Sequence, residues 1–183
     1  MSIATITRSL TGAAQLFLGR KEGLALLDRS VDGFWRSFQV IFLLAPLTAI
    51  TVFALTRADP SLTFWGIFTG QMVVVAAGLV LYPVLLALAA KPLGVSANYV
   101  SYIVARNWAT PISAAIQTVP WVLFGAGWVP GEGAQLLTFI VLLIVLRYDY
   151  LILRIALQAP VGLAIALVII EVLLAFLLAG VLG

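Results

Sequence analysis

Residues 161–182 read VGLAIALVIIEVLLAFLLAGVL, and Glu171 is the only charged residue among them. An α-helix needs about 20 consecutive apolar residues to cross the hydrocarbon core of a bilayer, and this run is long enough. A charged side chain at the centre of the core costs about 2.5–3.5 kcal/mol on insertion scales, so it is usually paired or lies in a hydrated cavity. The run therefore predicts a transmembrane helix, and it marks Glu171 as a side chain that needs a partner or water.

The rest of the chain has a similar composition. Of its 183 residues, 63% are hydrophobic and 9% are charged, whereas an average soluble domain contains roughly 25% charged residues. The chain has no cysteine and no histidine, which excludes disulfides, imidazole-based metal sites and catalytic triads that need histidine. The net charge is +3, and the basic residues are not interleaved with aromatic ones. We therefore expect no nucleic-acid partner, no cofactor and no metal site.

Five apolar runs are long enough to span a bilayer, and short polar or turn-rich segments separate them. Their approximate bounds are residues 34–56, 63–90, 99–124, 134–157 and 161–182. Short connections of this kind join antiparallel neighbouring helices. The sequence predicts an all-α fold, in which residues 34–183 form a polytopic integral membrane domain of five transmembrane helices.

The distribution of basic residues predicts the orientation, because Lys and Arg in short loops favour the cytoplasmic side. Half of them precede or begin the first run: Arg8, Arg20, Lys21, Arg29 and Arg36. With the N-terminus inside, Lys91 also falls in an inside loop. We expect a multi-pass protein of the bacterial inner membrane with a cytoplasmic N-terminus and an outside C-terminus. Because the first apolar run begins late, we expect no cleaved signal peptide.

Residues 1–33 form a separate N-terminal segment with helical periodicity. Its apolar residues lie near one face, which is typical of an amphipathic helix, and Gly19 and Gly23 make two short helices as plausible as one. One interpretation is an interfacial helix whose basic residues lie near anionic headgroups. The basic residues concerned are Arg20, Lys21, Arg29 and Arg36. The other is a cytoplasmic helix that packs on the protein's own loops.

Several polar residues fall at a similar predicted depth within the last three runs. They are Arg106, Arg147, Asp149 and Glu171. Asn107 and Gln117 of the third run and Gln71 of the second run are possible extensions. At about 1.5 Å per helical residue, the four charges lie in one layer roughly 10–16 Å from the cytoplasmic boundary. Two cations and two anions at one depth predict a charge-balanced network, because unpaired charges there are costly.

Three interpretations of this polar layer remain open. It can hold helices together as a structural network, or it can form a proton or ion pathway. Alternatively, residues 147–150 and Arg154 lie at the interface, and only Glu171 is deep. We assign no catalytic residue.

Three short strings near the ends of the apolar runs carry a family resemblance. They are Gly33-Phe34-Trp35-Arg36-Ser37-Phe38, Leu93-Gly94 with Tyr99 and Tyr102 before Ala109-Thr110-Pro111-Ile112, and Ile155-Ala156-Leu157. Together with five runs after an N-terminal segment, residues 34–183 resemble bacterial members of the Yip1 superfamily. The resemblance implies a polytopic membrane scaffold or adaptor without catalytic residues.

We therefore expect a non-enzymatic, Yip1-like scaffold, adaptor or membrane-organising subunit. Its partners would be the lipid bilayer and either other membrane proteins or a larger complex. One alternative is a small transporter or transport-complex subunit that uses the intramembrane polar network. A third is an intramembrane enzyme that uses Glu171 or Asp149.

Overall fold

The computed structural model describes residues 2–182, and helices account for most of them. The α-helices are α1 (Ile3–Phe17), α2 (Val31–Ser37), α3 (Ile41–Ala58), α4 (Phe64–Ala90), α5 (Tyr99–Gly125), α6 (Gly131–Ile155) and α7 (Val161–Leu182). Short 3₁₀ segments occupy Lys21–Leu26, Phe38–Val40 and Ser96–Asn98. No strand occurs between residues 2 and 182.

Four helical stretches are long and apolar enough to cross a membrane. They are Val31–Ala58, which joins α2 to α3, and the helices α4, α6 and α7. This finding confirms the prediction of an all-α protein of multi-pass membrane type. The helix α5 is as long as α4, but it does not belong to this apolar group. Arg106, Asn107 and Gln117 lie along its length and reduce its apolar character.

The helix α5 lies at the centre of the bundle. It packs against α1, α2, α3, α4 and α6. Tyr102, Ile103, Val104 and Ala105 are consecutive and all buried. Because successive residues point about 100° apart around a helix axis, burial of four in a row requires protein on every side. The helix with the most polar residues is therefore the one best shielded by its neighbours.

The outer surfaces of α3, α4, α6 and α7 carry large apolar side chains. Phe42, Leu88, Phe139 and Phe176 are all more than half exposed, one on each of these helices. A soluble monomer rarely exposes contiguous apolar area on this scale, whereas lipid is an apolar solvent for such a surface. The exterior of the bundle therefore fits the hydrocarbon of a bilayer.

The helix α1 packs on the ends of α5 and α6. Ala13 and Leu16 are completely buried in this contact. The Tyr148 hydroxyl of α6 donates a hydrogen bond to the Ala13 carbonyl at 2.6 Å, and the Tyr148 ring meets the Phe17 ring edge-on at 5.1 Å between centroids. The chain then turns through Lys21–Leu26, which packs back on α1. Residues 3–26 thus form a layer, here called the N-terminal layer, that is fixed to one end of the bundle.

Candidate functional site

An ion pair links the central helix α5 to α7. The Nε of Arg106 donates to Oε1 of Glu171 at 2.7 Å, and Nη2 of the same guanidinium contacts the same oxygen. The two side chains are only 14% and 19% exposed. Because α7 otherwise packs on α4 and α6, this pair is a principal link between α7 and the central helix. The Glu171 carboxylate, whose partner the sequence did not determine, is therefore neutralised by Arg106 inside the bundle.

Two tyrosines complete the surroundings of the Arg106 guanidinium. Its central carbon lies 4.5 Å from the centroid of the Tyr82 ring, which places a cation over the negative face of an aromatic ring. The hydroxyls of Tyr82 and Tyr102 are 2.9 Å apart, and both residues are buried. The charge of Arg106 is therefore compensated by side chains from α4 and α7.

A cavity of about 340 Å³ opens beside this ion pair, between α4, α5, α6 and α7. Its polar lining consists of Arg106, Thr110, Ser113, Gln117, Asp149 and Glu171. Within residues 2–182, the Oε2 atom of Glu171 and the Oγ atom of Ser113 are buried and have no hydrogen-bond partner. Most buried polar atoms in proteins form at least one hydrogen bond to protein, ordered water or a ligand. The cavity is thus lined by charged side chains and by polar atoms that can form further hydrogen bonds.

The two charged residues of α6 in the predicted network face different surroundings. Asp149 lines the cavity beside Glu171, and among the described residues it forms no ion pair. Arg147 is exposed, and its Nη1 donates to the Phe17 carbonyl of α1 at 3.3 Å. Residues two apart on a helix do not share a face. The structure therefore brings Asp149, but not Arg147, to the Arg106–Glu171 pair.

Two of the three predicted amide extensions of the network, Asn107 and Gln71, lie elsewhere. The Nδ2 of Asn107 donates to Oγ of Ser37 at 2.9 Å, on the side of α5 that faces α2. Gln71 lines a second cavity of about 330 Å³ with Thr51, Thr118 and Gln117. Gln117 also lines the first cavity. Neither of these two amides forms a hydrogen bond with Glu171, whereas Gln117, the third predicted extension, lines both cavities.

The four basic residues predicted at the membrane surface are all exposed in or near the N-terminal layer. Arg20 and Lys21 lie in the turn after α1, Arg29 lies just before α2, and Arg36 lies in the last turn of α2. The Nη2 of Arg36 pairs with Oδ2 of Asp28 at 2.7 Å. Hydrogen bonds from the side chain and backbone of Ser30, followed by the nearby charge of Arg36, hold the pKa of Asp28 below its usual range. Asp28 is therefore a carboxylate at neutral pH, and it compensates Arg36.

No comparison identifies a family for this chain. Protein-family models, curated proteins and solved structures give no match. The resemblance to the Yip1 superfamily accordingly stays an expectation that rests on the three strings and the predicted number of spans.

Proposed function

We propose that this chain is a non-enzymatic protein of the bacterial inner membrane with five spans, and that it acts as a Yip1-like scaffold or adaptor for protein or lipid partners. The N-terminal layer would face the cytoplasm, and the C-terminus would lie outside. The observation that carries the proposal is the fixed attachment of this layer to the bundle through Ala13, Leu16 and Tyr148. A rigid surface at one end of a membrane domain suits a protein that holds partners.

The fifth span in this proposal is α5. Its length of 27 residues exceeds the requirement for crossing the hydrocarbon core. Arg106 and Asn107, the polar groups that weaken its apolar character, have partners on other helices. A helix enclosed by apolar neighbours does not need an apolar surface of its own. These contacts support a central span in which Arg106 and Asn107 are satisfied by neighbouring helices.

Cysteine labelling tests the fifth span, and the absence of native cysteine gives a clean background. Leu93 lies in the connection before α5, and Trp128 lies in the connection after it. We expect a membrane-impermeant maleimide to label Leu93→Cys only from the cytoplasmic side and Trp128→Cys only from the outside. Thr7→Cys in α1 should behave like Leu93→Cys. Labelling of Leu93→Cys and Trp128→Cys from the same side would show that α5 does not span.

Photocrosslinking in intact cells tests the scaffold function. Leu18, at the end of α1, is 61% exposed, and Leu173, on the outer face of α7, is 62% exposed. A photoreactive amino acid at position 18 should give a discrete crosslinked protein or lipid adduct, because this position belongs to the N-terminal layer. The matched position 173 should give only bulk lipid adducts. Identical adduct patterns at the two positions would contradict a partner surface on the N-terminal layer.

A second candidate function is transport of protons or small cations through the polar cavities. The specific observation in its favour is Gln117, which lines both the cavity with Glu171 and the cavity with Gln71. Asp149 is the better residue for its test than Glu171, because it lines the cavity without belonging to an ion pair. A flux in proteoliposomes that Asp149→Asn abolishes without lowering thermal stability would favour transport, and a native protein without flux would reject it.

A further inference from the structure

A further cavity lies in the N-terminal part of the chain, outside the polar site already described. It has a volume of about 550 Å³ and opens between α1 and the segment that leads into α2. Three arginines and one carboxylate line it: Arg8, Arg29, Arg36 and Asp28. Their formal charges, three positive and one negative, leave a net charge of +2. A concave site with this excess attracts anions.

Two of the three arginines are available to a ligand. Asp28 already compensates Arg36 through their ion pair. Arg8 lines the cavity and donates one hydrogen bond to the Ala25 carbonyl, with 3.3 Å between Nη2 and the oxygen. Arg29 forms no hydrogen bond or ion pair with residues 2–182. A guanidinium has five N–H donors in a planar fork that matches phosphate oxygens.

The position of this cavity in the fold favours a lipid over a soluble anion. Arg36 lies on α2, which continues through Phe38–Val40 into the apolar helix α3. Its neighbour Trp35 is 67% exposed, as is typical of tryptophans that anchor helices at the membrane–water interface. The cavity therefore opens near the start of a span, at the level where headgroup phosphates lie.

We propose that this cavity binds the phosphate of an anionic phospholipid headgroup, with Arg8 and Arg29 as its donors. The inference rests on the proposed function, because it names the lipid partner and requires the N-terminal layer to face the anionic cytoplasmic leaflet. It differs from a general attraction between basic residues and the membrane surface. Arg20 and Lys21 are also basic and exposed, but they do not line the cavity.

That difference provides a matched control for the test. The full chain, purified in mild detergent, is titrated with short-chain phosphatidylglycerol, and bound lipid is counted by native mass spectrometry. Arg8→Gln/Arg29→Gln and Arg20→Gln/Lys21→Gln each remove two positive charges. We expect the first pair to weaken lipid binding by at least about tenfold more than the second. The single variant Arg29→Gln should show part of this loss without loss of stability, because the Arg29 side chain forms no hydrogen bond or ion pair within residues 2–182.

Two further measurements separate the sources of phosphate. Inorganic phosphate at millimolar concentration should compete only weakly with phosphatidylglycerol, because it lacks the acyl chains that anchor the lipid. Tight binding of inorganic phosphate without binding of the lipid would overturn the lipid assignment. Equal losses in the two double variants would also overturn it, since they would indicate diffuse surface charge. If cysteine labelling supports a cytoplasmic N-terminus while the lipid titration fails, the cavity assignment fails and the scaffold proposal stands.

Discussion

We expect Glu171→Gln to lower the free energy of unfolding by about 3–5 kcal/mol, the usual cost of removing one partner from a buried ion pair. The variant leaves Arg106 inside the bundle without its paired carboxylate. The face of Tyr82 remains, but a cation–π contact contributes only about 0.5–2 kcal/mol. The loss should appear as a lower midpoint of thermal unfolding in detergent, measured by tryptophan fluorescence.

We expect Arg106→Gln, which removes the other partner of the pair, to lower the free energy of unfolding by less than Glu171→Gln does. A carboxylate that loses its partner can take up a proton and become neutral, whereas a guanidinium stays charged at any physiological pH. The order of stability is therefore native, then Arg106→Gln, then Glu171→Gln. The double variant Arg106→Gln/Glu171→Gln should lose less than the sum of the two single losses, because it leaves no unpaired charge. Two equal and additive losses would show that the pair does not act as an interaction between charges.

Gly23→Ala is the second substitution with a large expected effect, and it acts on the N-terminal layer. A Cβ atom at this position would overlap the Gly12 carbonyl oxygen of α1 and would lie 2.9 Å from Cβ of Gln15. The obstacle is backbone, so no side-chain rotation relieves it. Overpacking of this kind costs about 1–3 kcal/mol, and the Lys21–Leu26 segment should separate from α1.

Limited proteolysis of the membrane-inserted protein measures this separation. Cleavage after Arg20 or Lys21 by trypsin should be several-fold faster in Gly23→Ala than in the native protein. Gly162→Ala in α7 is the control, because nothing lies within 4 Å of a Cβ added there. It should leave both the cleavage rate and the unfolding midpoint unchanged. Unchanged cleavage in Gly23→Ala would mean that the close contact between Gly12 and Gly23 does not hold the N-terminal layer together.

The sequence predicted the membrane character of the protein and the need of Glu171 for a partner, since both follow from the cost of charge in hydrocarbon. Estimates of depth also brought Arg106 to the level of Glu171. Depth does not specify direction around a helix, however. Arg147 and Asp149 have nearly the same depth, yet Arg147 contacts Phe17 and only Asp149 lines the cavity.

Other features depend on packing between distant segments, which no local pattern encodes. The ring of Tyr82 lies over Arg106 because α4 crosses α5 at that level. The arginine-lined cavity arises because α1 and the chain before α2 bring Arg8 and Arg29 to one opening. From the sequence, Arg8 was one basic residue among several. Its place beside Arg29 depends on how the N-terminal layer folds back on itself.

The central position of α5 has a consequence for how the protein is made. Arg106 and its partner Glu171 are 65 residues apart in sequence, so a ribosome synthesises α5 well before the carboxylate that neutralises it. During that interval, Arg106 can be shielded by the translocon or by Asp149 of α6, which is synthesised before α7. In the proposed arrangement of five spans, stable insertion of α5 would thus be complete only once α7 has been made. A nascent chain that stops before α7 would lack the Glu171 partner of Arg106, and we expect it to become a substrate for membrane quality control.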